Sequence, residues 1–139
     1  MGNSLNFFPE AEIIKLLTSV SSTLKEESHL LIHTWSLSEI AIREFKEKSS
    51  SSVNDLKYEA DARYLFHPTR IETETTITST DGMIEKKMAI DYIFSVAEME
   101  TILNNSGFAL KEIFSIPGRK KFALGEPRAY IIAQKKKQL

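Results

Sequence analysis

Few residues in this chain have both the type and the spacing to do chemistry. His29 and His33 fall on one face of a segment that reads as a strand. At the usual rise per residue they stand about 13 Å apart, too far to chelate one metal ion. Trp35 follows that strand directly, at the carboxyl edge where ligands bind in open α/β sheets. Phe7 and Phe8 precede the first helix, where aromatics either staple the helix to a core or wall a pocket. Tyr58 and Tyr64 share the apolar face of an alternating segment and can pack in a core or close over a bound ligand. Phe7, Phe8, Trp35, Tyr58 and Tyr64 therefore make up the candidate substrate-binding set. Arg63 is answered by Glu72 across a hairpin, and Arg119, Lys120 and Lys121 read as solvated loop charge. No Ser-His-Asp arrangement, phosphate loop or paired carboxylates can be argued from spacing, no metal site is expected, and no catalytic residue is assigned.

The elements that must position these residues follow from periodicity. Pro9 to Leu24 reads as a helix, with Glu10 and Glu12 in its first turn and Ile13, Leu16, Leu17, Val20 and Leu24 in one apolar stripe. His29 to Thr34 reads as a strand, and Leu37 to Lys48 as a helix with Ser36 as its cap and Glu39 three residues on. The serines at 49–52 read as a flexible exposed connection. From Leu56 to Phe94 the period is two, predicting a three-stranded antiparallel meander. A turn at His67-Pro68 sets Tyr64 against Ile71 and Tyr58 against Ile77. A two-residue loop at Asp81-Gly82 sets Ile71 against Tyr92, Thr73 against Ile90 and Thr75 against Met88. Ser95 and Glu98 form a capping box, Gly107 closes the following helix, and strands are expected at Leu110 to Ile116 and Ala129 to Ala133.

Composition narrows the class. With 139 residues, 42% hydrophobic and 27% charged, the chain suits one soluble domain or a piece of a larger one. A net charge of −1 gives no global pull toward nucleic acid or anionic membrane. The absence of cysteine fits a reducing, cytoplasmic location, and no signal peptide or membrane span is visible.

The order of elements, with several local motifs, resembles the C-terminal portion of a class I S-adenosylmethionine-dependent methyltransferase. Gly2-Asn3-Ser4-Leu5-Asn6-Phe7-Phe8 is similar to the segment after the fourth strand of that fold. Leu24-Lys25-Glu26-Glu27-Ser28-His29-Leu30-Leu31-Ile32 resembles its helix-to-strand step, usually Leu-Lys-Pro-Gly-Gly followed by aliphatics. Phe94-Ser95-Val96-Ala97-Glu98-Met99 through Ser106-Gly107-Phe108 resembles the block before its sixth strand. Arg128 to Lys135 looks like the closing strand, which in that family runs antiparallel to its neighbours.

The resemblance implies an α/β fold: the C-terminal part of a Rossmann-like methyltransferase sheet, one partial domain over 1–139, with the meander at 56–94 inserted as an acceptor or lid subdomain. It implies S-adenosylmethionine as cofactor, with Asn3 and Ser4 beside the methyl donor, and methyl transfer to a small-molecule acceptor. The family's glycine-rich loop and ribose-binding carboxylate have no counterpart, because the five glycines never form Gly-x-Gly. The expected activity is therefore that of a larger or two-part enzyme, with this chain inactive alone. The alternative is a non-catalytic ligand-binding or dimerisation module derived from a methyltransferase. The strand His29 to Thr34, central in a complete sheet, would present an apolar edge here, so a homo-oligomer or an N-terminal methyltransferase half is the expected partner, with no nucleic acid or membrane.

Overall fold

The computed structural model describes residues 4–137. It divides into two compact units, Met1–Glu44 with Ile93–Leu139, and Phe45–Tyr92. Both are built on antiparallel sheets, so the molecule is mixed α/β.

The first unit holds a short 3-10 turn (Leu5–Phe7), α1 (Glu10–Thr23), β1 (His29–Thr34) and α2 (Ser38–Glu44). After the second unit it resumes with α3 (Val96–Asn105), β6 (Phe108–Ile116), β7 (Lys120–Lys121) and β8 (Ala129–Lys135). Its sheet order is β1-β8-β6-β7. The closing strand β8 runs antiparallel to both β1 and β6, as the resemblance implies. Burial alternates along it: Ala129, Ile131 and Ala133 are fully buried, and opposite Ile131 on β1 so is Ile32. α3 packs against β6, and α1 against α3. Gly107 makes the α1 contact close, since a Cβ there would lie 2.7 Å from the buried Ser21 hydroxyl, and its φ of 92° suits glycine alone. In α1, Ile13 and Leu17 are buried as the stripe requires, but Leu16 is 37% exposed. Pro9 lies just before the helix, its carbonyl accepting from the Glu12 and Ile13 amides.

The step into β1 keeps a tight turn without glycine. Ser28 donates its amide to the Lys25 carbonyl, and Glu27 adopts φ 65° in the left-handed region. The turn is held from outside: the Glu27 amide donates to the Lys135 carbonyl (3.2 Å), the Lys135 amide to the Ser28 carbonyl (2.8 Å), and the Gln134 amide group to the Glu27 carbonyl (3.1 Å).

Helix α2 ends at Glu44, four residues before the expected Lys48, and Ile40 and Ala41 supply its buried side. The serine run is no flexible connection. Lys48–Val53 forms β2, the first strand of a four-stranded meander with β3 (Leu56–Phe66), β4 (Thr69–Ser79) and β5 (Ile84–Tyr92) in order β2-β3-β4-β5. The turn Val53-Asn54-Asp55-Leu56 makes this hairpin, with Asn54 at φ 55°. Asparagine tolerates that conformation, which is why a serine-rich strand can still be folded back.

The two hairpins expected from the sequence, β3–β4 and β4–β5, meet that expectation differently. β3 and β4 pair as read from the sequence: Tyr64 faces Ile71, Tyr58 faces Ile77 and Arg63 faces Glu72 across the cis His67-Pro68 turn. β4 and β5 are shifted by one residue: Ile71 faces Asp91, Glu72 faces Ile90, Thr73 faces Ala89 and Glu74 faces Met88. The cause is the loop. The Gly82 amide donates to the Ser79 carbonyl (3.0 Å) and the Ser79 amide to the Met83 carbonyl (2.9 Å), so three residues, Thr80 to Gly82, close the hairpin. Asp81 holds it by accepting from the Ser79 hydroxyl and the Met83 amide. These bonds favour the carboxylate, the Ser79 bond most, and set Asp81 below the usual range. Because strand side chains alternate, the shift carries Met88 and Ile90 to the opposite face from Tyr58 and Tyr64.

A left-handed residue with a Cβ carries a cost of about 1–2 kcal/mol. Glu27→Gly is therefore expected to stabilise the chain by about 0.5–1 kcal/mol after the glycine's extra unfolded-state entropy is allowed for, measured by urea unfolding.

Candidate functional site

The carboxyl end of β1 is the best-organised polar region of the first unit. Thr34, the last residue of β1, is 2% exposed, and Ser36 is 3% exposed. Their hydroxyls bond to each other at 2.8 Å, and the Ser36 amide donates to the Thr34 hydroxyl at 3.0 Å. Ser36 therefore fastens the β1 end and does not cap α2, contrary to the expectation from spacing. The chain then pairs with Phe94: the Phe94 amide donates to the Ser36 carbonyl, the Ser38 amide to the Phe94 carbonyl, and Leu37 bridges Phe94 in parallel. Trp35, half-buried, is carried between these two fastened residues. Its backbone position is thus fixed from both sides.

Glu39 belongs to the same framework. Both its carboxylate oxygens accept from the Val96 amide at 3.1 Å, and the Ser38 hydroxyl donates to it. Val96 opens α3, whose capping box is complete: Ser95 accepts from the Glu98 amide, and Glu98 from the Ser95 amide. A carboxylate at a helix start is favoured by the exposed amides and the dipole. Sequence reading pairs Glu39 with Ser36 instead, since a partner 57 residues away leaves no local signal.

Of the remaining site residues, Asn3 lies outside the described residues. Ser4 is exposed at the start of the 3-10 turn, and its side chain makes no capping bond. Phe7 is 58% exposed and Phe8 40% exposed, so neither staples α1 to the core. Phe8 instead lines a groove of about 400 Å³ with Glu12, Lys15, Leu16 and Ser19. Asn6, just before Phe7, is 3% exposed, a buried polar residue that the sequence alone does not single out. His33 stacks flat on Tyr130, with ring centroids 4.3 Å apart and planes 4° from parallel. Among the described residues no group of three or more His, Cys, Asp or Glu could hold a metal ion. No helix there is long and apolar enough to cross a membrane.

In the second unit, Tyr64 packs edge-on to Phe45 (5.5 Å) and tilted against Phe66 (5.9 Å), while Tyr58 lies half-buried on the same face of β3. On the opposite face the sequence pairs Arg63 with Glu72 but shows no groove. There Lys48, Glu59, Asp61, Glu74 and Thr76 line a groove of about 560 Å³. Asp61 and Glu74 sit directly opposite each other on β3 and β4, with Lys48 across from Asp61 and Lys86 3.7 Å from Glu74. Finding this groove from sequence requires recognising β2 as a strand.

No family model matches the chain, and no curated protein matches it in sequence. Solved structures do match its fold. An S-adenosylmethionine-dependent methyltransferase from Clostridium acetobutylicum superposes with a TM-score of 0.79 at 12% identity, over 97% of this chain and 56% of that one. The CcbJ methyltransferase from Streptomyces caelestis gives 0.78 at 14% identity, over 96% and 57%. The sugar N-methyltransferase KedS8 from a Streptoalloteichus species gives 0.63 at 10% identity, over 99% and 54%. The chain thus spans little more than half the length of these neighbours while sharing its fold with that part of them.

The described glycines do not build a donor site. Gly82 and Gly118 sit at turns where an added Cβ would meet nothing within 4 Å, Gly107 serves the Ser21 contact, and Gly125 lies against Arg43. None of these four forms a cradle of the kind that brings a dinucleotide-type ligand against the backbone.

Loss of the Glu39 carboxylate leaves the Val96 amide without its acceptor. Glu39→Ala is expected to cost about 1–2 kcal/mol in thermal or urea unfolding and to speed hydrogen exchange at Val96, with little change at β5.

Proposed function

We propose that this chain is the acceptor-side, carboxyl-terminal part of an S-adenosylmethionine-dependent methyltransferase. It would act on a small molecule as part of a larger or two-part enzyme. The observation that carries this reading is the fold match over 96–97% of the chain at TM-scores of 0.79 and 0.78. The antiparallel closing strand and the tight Glu26-Glu27-Ser28 turn, retained without glycine, support it further. In this reading Asn3 and Ser4 border the methyl donor, and Phe7, Phe8 and Trp35 wall the acceptor. S-adenosylmethionine, when bound, supplies an electrophilic methyl group. The residues of this chain contribute by orienting the acceptor and excluding water, the part of catalysis that positioning supplies. KedS8 is a sugar N-methyltransferase, which makes an amine-bearing small molecule the first acceptor class to assay.

A non-catalytic module of methyltransferase descent is the second reading. What favours it is the lack of any Gly-x-Gly sequence among the five glycines.

One comparison separates the two. The 139 residues alone are expected to show no heat of S-adenosylmethionine binding at about 100 μM ligand, whereas the chain joined to the polypeptide encoded immediately ahead of it is expected to bind with a Kd of about 1–100 μM. Micromolar binding by the isolated chain would overturn the assignment of the donor site to another segment. No binding and no transfer of labelled methyl by the joined protein would favour the non-catalytic module.

A further inference from the structure

The one-residue shift between β4 and β5 has put apolar side chains where a sheet of this kind does not need them. β5 is an edge strand. Ile84 is 65% exposed, Met88 60% and Ile90 41%, all on the face that β3 and β4 furnish with Asp61, Arg63, Glu72 and Glu74. β5 holds no proline, and its pairing with β4 is free of bulges. Within β5 itself the device against edge pairing is charge, in Glu85, Lys86, Lys87 and Asp91.

We propose that β5 pairs antiparallel with β5 of a second copy of this chain, about a two-fold axis at Ala89. A two-fold normal to the sheet preserves its faces, so the allowed registers are those centred on a residue. Centring on Lys86 or Lys87 sets that lysine against its own copy. Centring on Met88 sets Glu85 against the partner's Asp91, two like-charge pairs by symmetry. Centring on Ile90 shortens the overlap to Met88–Tyr92 and matches no charge. Centring on Ala89 sets Lys87 against the partner's Asp91, Met88 against the partner's Ile90, and the stem of Lys86 along the partner's Tyr92. Opposite-charge and apolar cross-strand pairs favour pairing, and like charges facing each other oppose it. The two lysines that would otherwise protect this edge thus select one register and exclude its neighbours. The occupant is a second copy because the complementarity lies within β5 itself, residue for residue, as an isologous contact demands.

Sedimentation of the full chain should show a monomer–dimer equilibrium with a Kd of tens of micromolar, as suits a small strand-edge interface. Lys87→Glu and Asp91→Lys should each weaken it about tenfold or more, and the double exchange should bring it back to within about threefold of the original. Because the chain has no cysteine, Ala89→Cys should form a disulfide-linked dimer on oxidation, its two Cα atoms facing across the axis, while Glu85→Cys should not. Leu31→Asp, on β1, should leave the equilibrium unchanged. A chain that stays monomeric at about 200 μM would overturn the proposal. So would a dimer indifferent to Lys87→Glu, a double exchange that fails to restore it while circular dichroism shows the native fold, or cross-linking through Glu85→Cys as efficient as through Ala89→Cys.

Discussion

The antiparallel insertion of β8 between β1 and β6 is the constraint on which the first unit depends. A strand last in sequence enters between two earlier ones and must match both registers at once. Its buried side chains are small or β-branched, Ala129, Ile131 and Ala133. Each fully buried isoleucine here is worth about 1.5–3 kcal/mol, so Ile32 and Ile131 opposite one another make a substantial part of the core. The far end of β8 also fixes the turn before β1, since Lys135 and Gln134 bond the backbone of Glu27 and Ser28. That external hold explains how Glu27 keeps a left-handed conformation that a glycine would adopt freely. A local sequence departure is thereby absorbed by a tertiary contact.

Legibility in the sequence follows the same division between local and distant causes. The capping box of α3 is readable because Ser95 and Glu98 satisfy each other within one turn. The β3–β4 register is readable because a two-residue loop leaves no freedom between Phe66 and Thr69. The β4–β5 register is misread although its Asp-Gly signal is genuine. Asp-Gly serves a three-residue loop as well as a two-residue one, and the choice is made by the Asp81 side chain reaching Ser79 and Met83. β2 is illegible for a different reason: serine has no strand preference, and its pairing is imposed by β3 and by Asn54 in the turn. Asn54-Asp55 between Val53 and Leu56 is the signal that could have found it.

The candidate site divides likewise. Trp35 can be placed at the carboxyl end of a strand from pattern alone, and the structure puts it there. What holds it cannot be read, because Thr34, Ser36, Phe94 and the Glu39–Val96 tie join segments far apart in sequence. Phe7 and Phe8 do not follow the stapling that their spacing favours, since it would have buried them and they remain 58% and 40% exposed.

The meander shows how a single residue of register redistributes chemistry. Had the hairpin closed on two residues, Met88 and Ile90 would have joined Tyr58, Tyr64 and Ile71, giving one apolar face and one charged one. With the three-residue loop, the Tyr58 and Tyr64 face instead receives Glu85, Lys87, Ala89 and Asp91 from β5, while the charged face receives Ile84, Met88 and Ile90. Neither face is then cleanly polar or apolar, so neither is suited simply to water or simply to a core. A loop stabilised by its own aspartate can sustain that arrangement, because the hydrogen bonds at Ser79 and Met83 fix the register whatever face each strand side chain then takes. The burial pattern of β5 is therefore set by turn chemistry rather than by hydrophobic sorting, and its exposed apolar edge is the consequence.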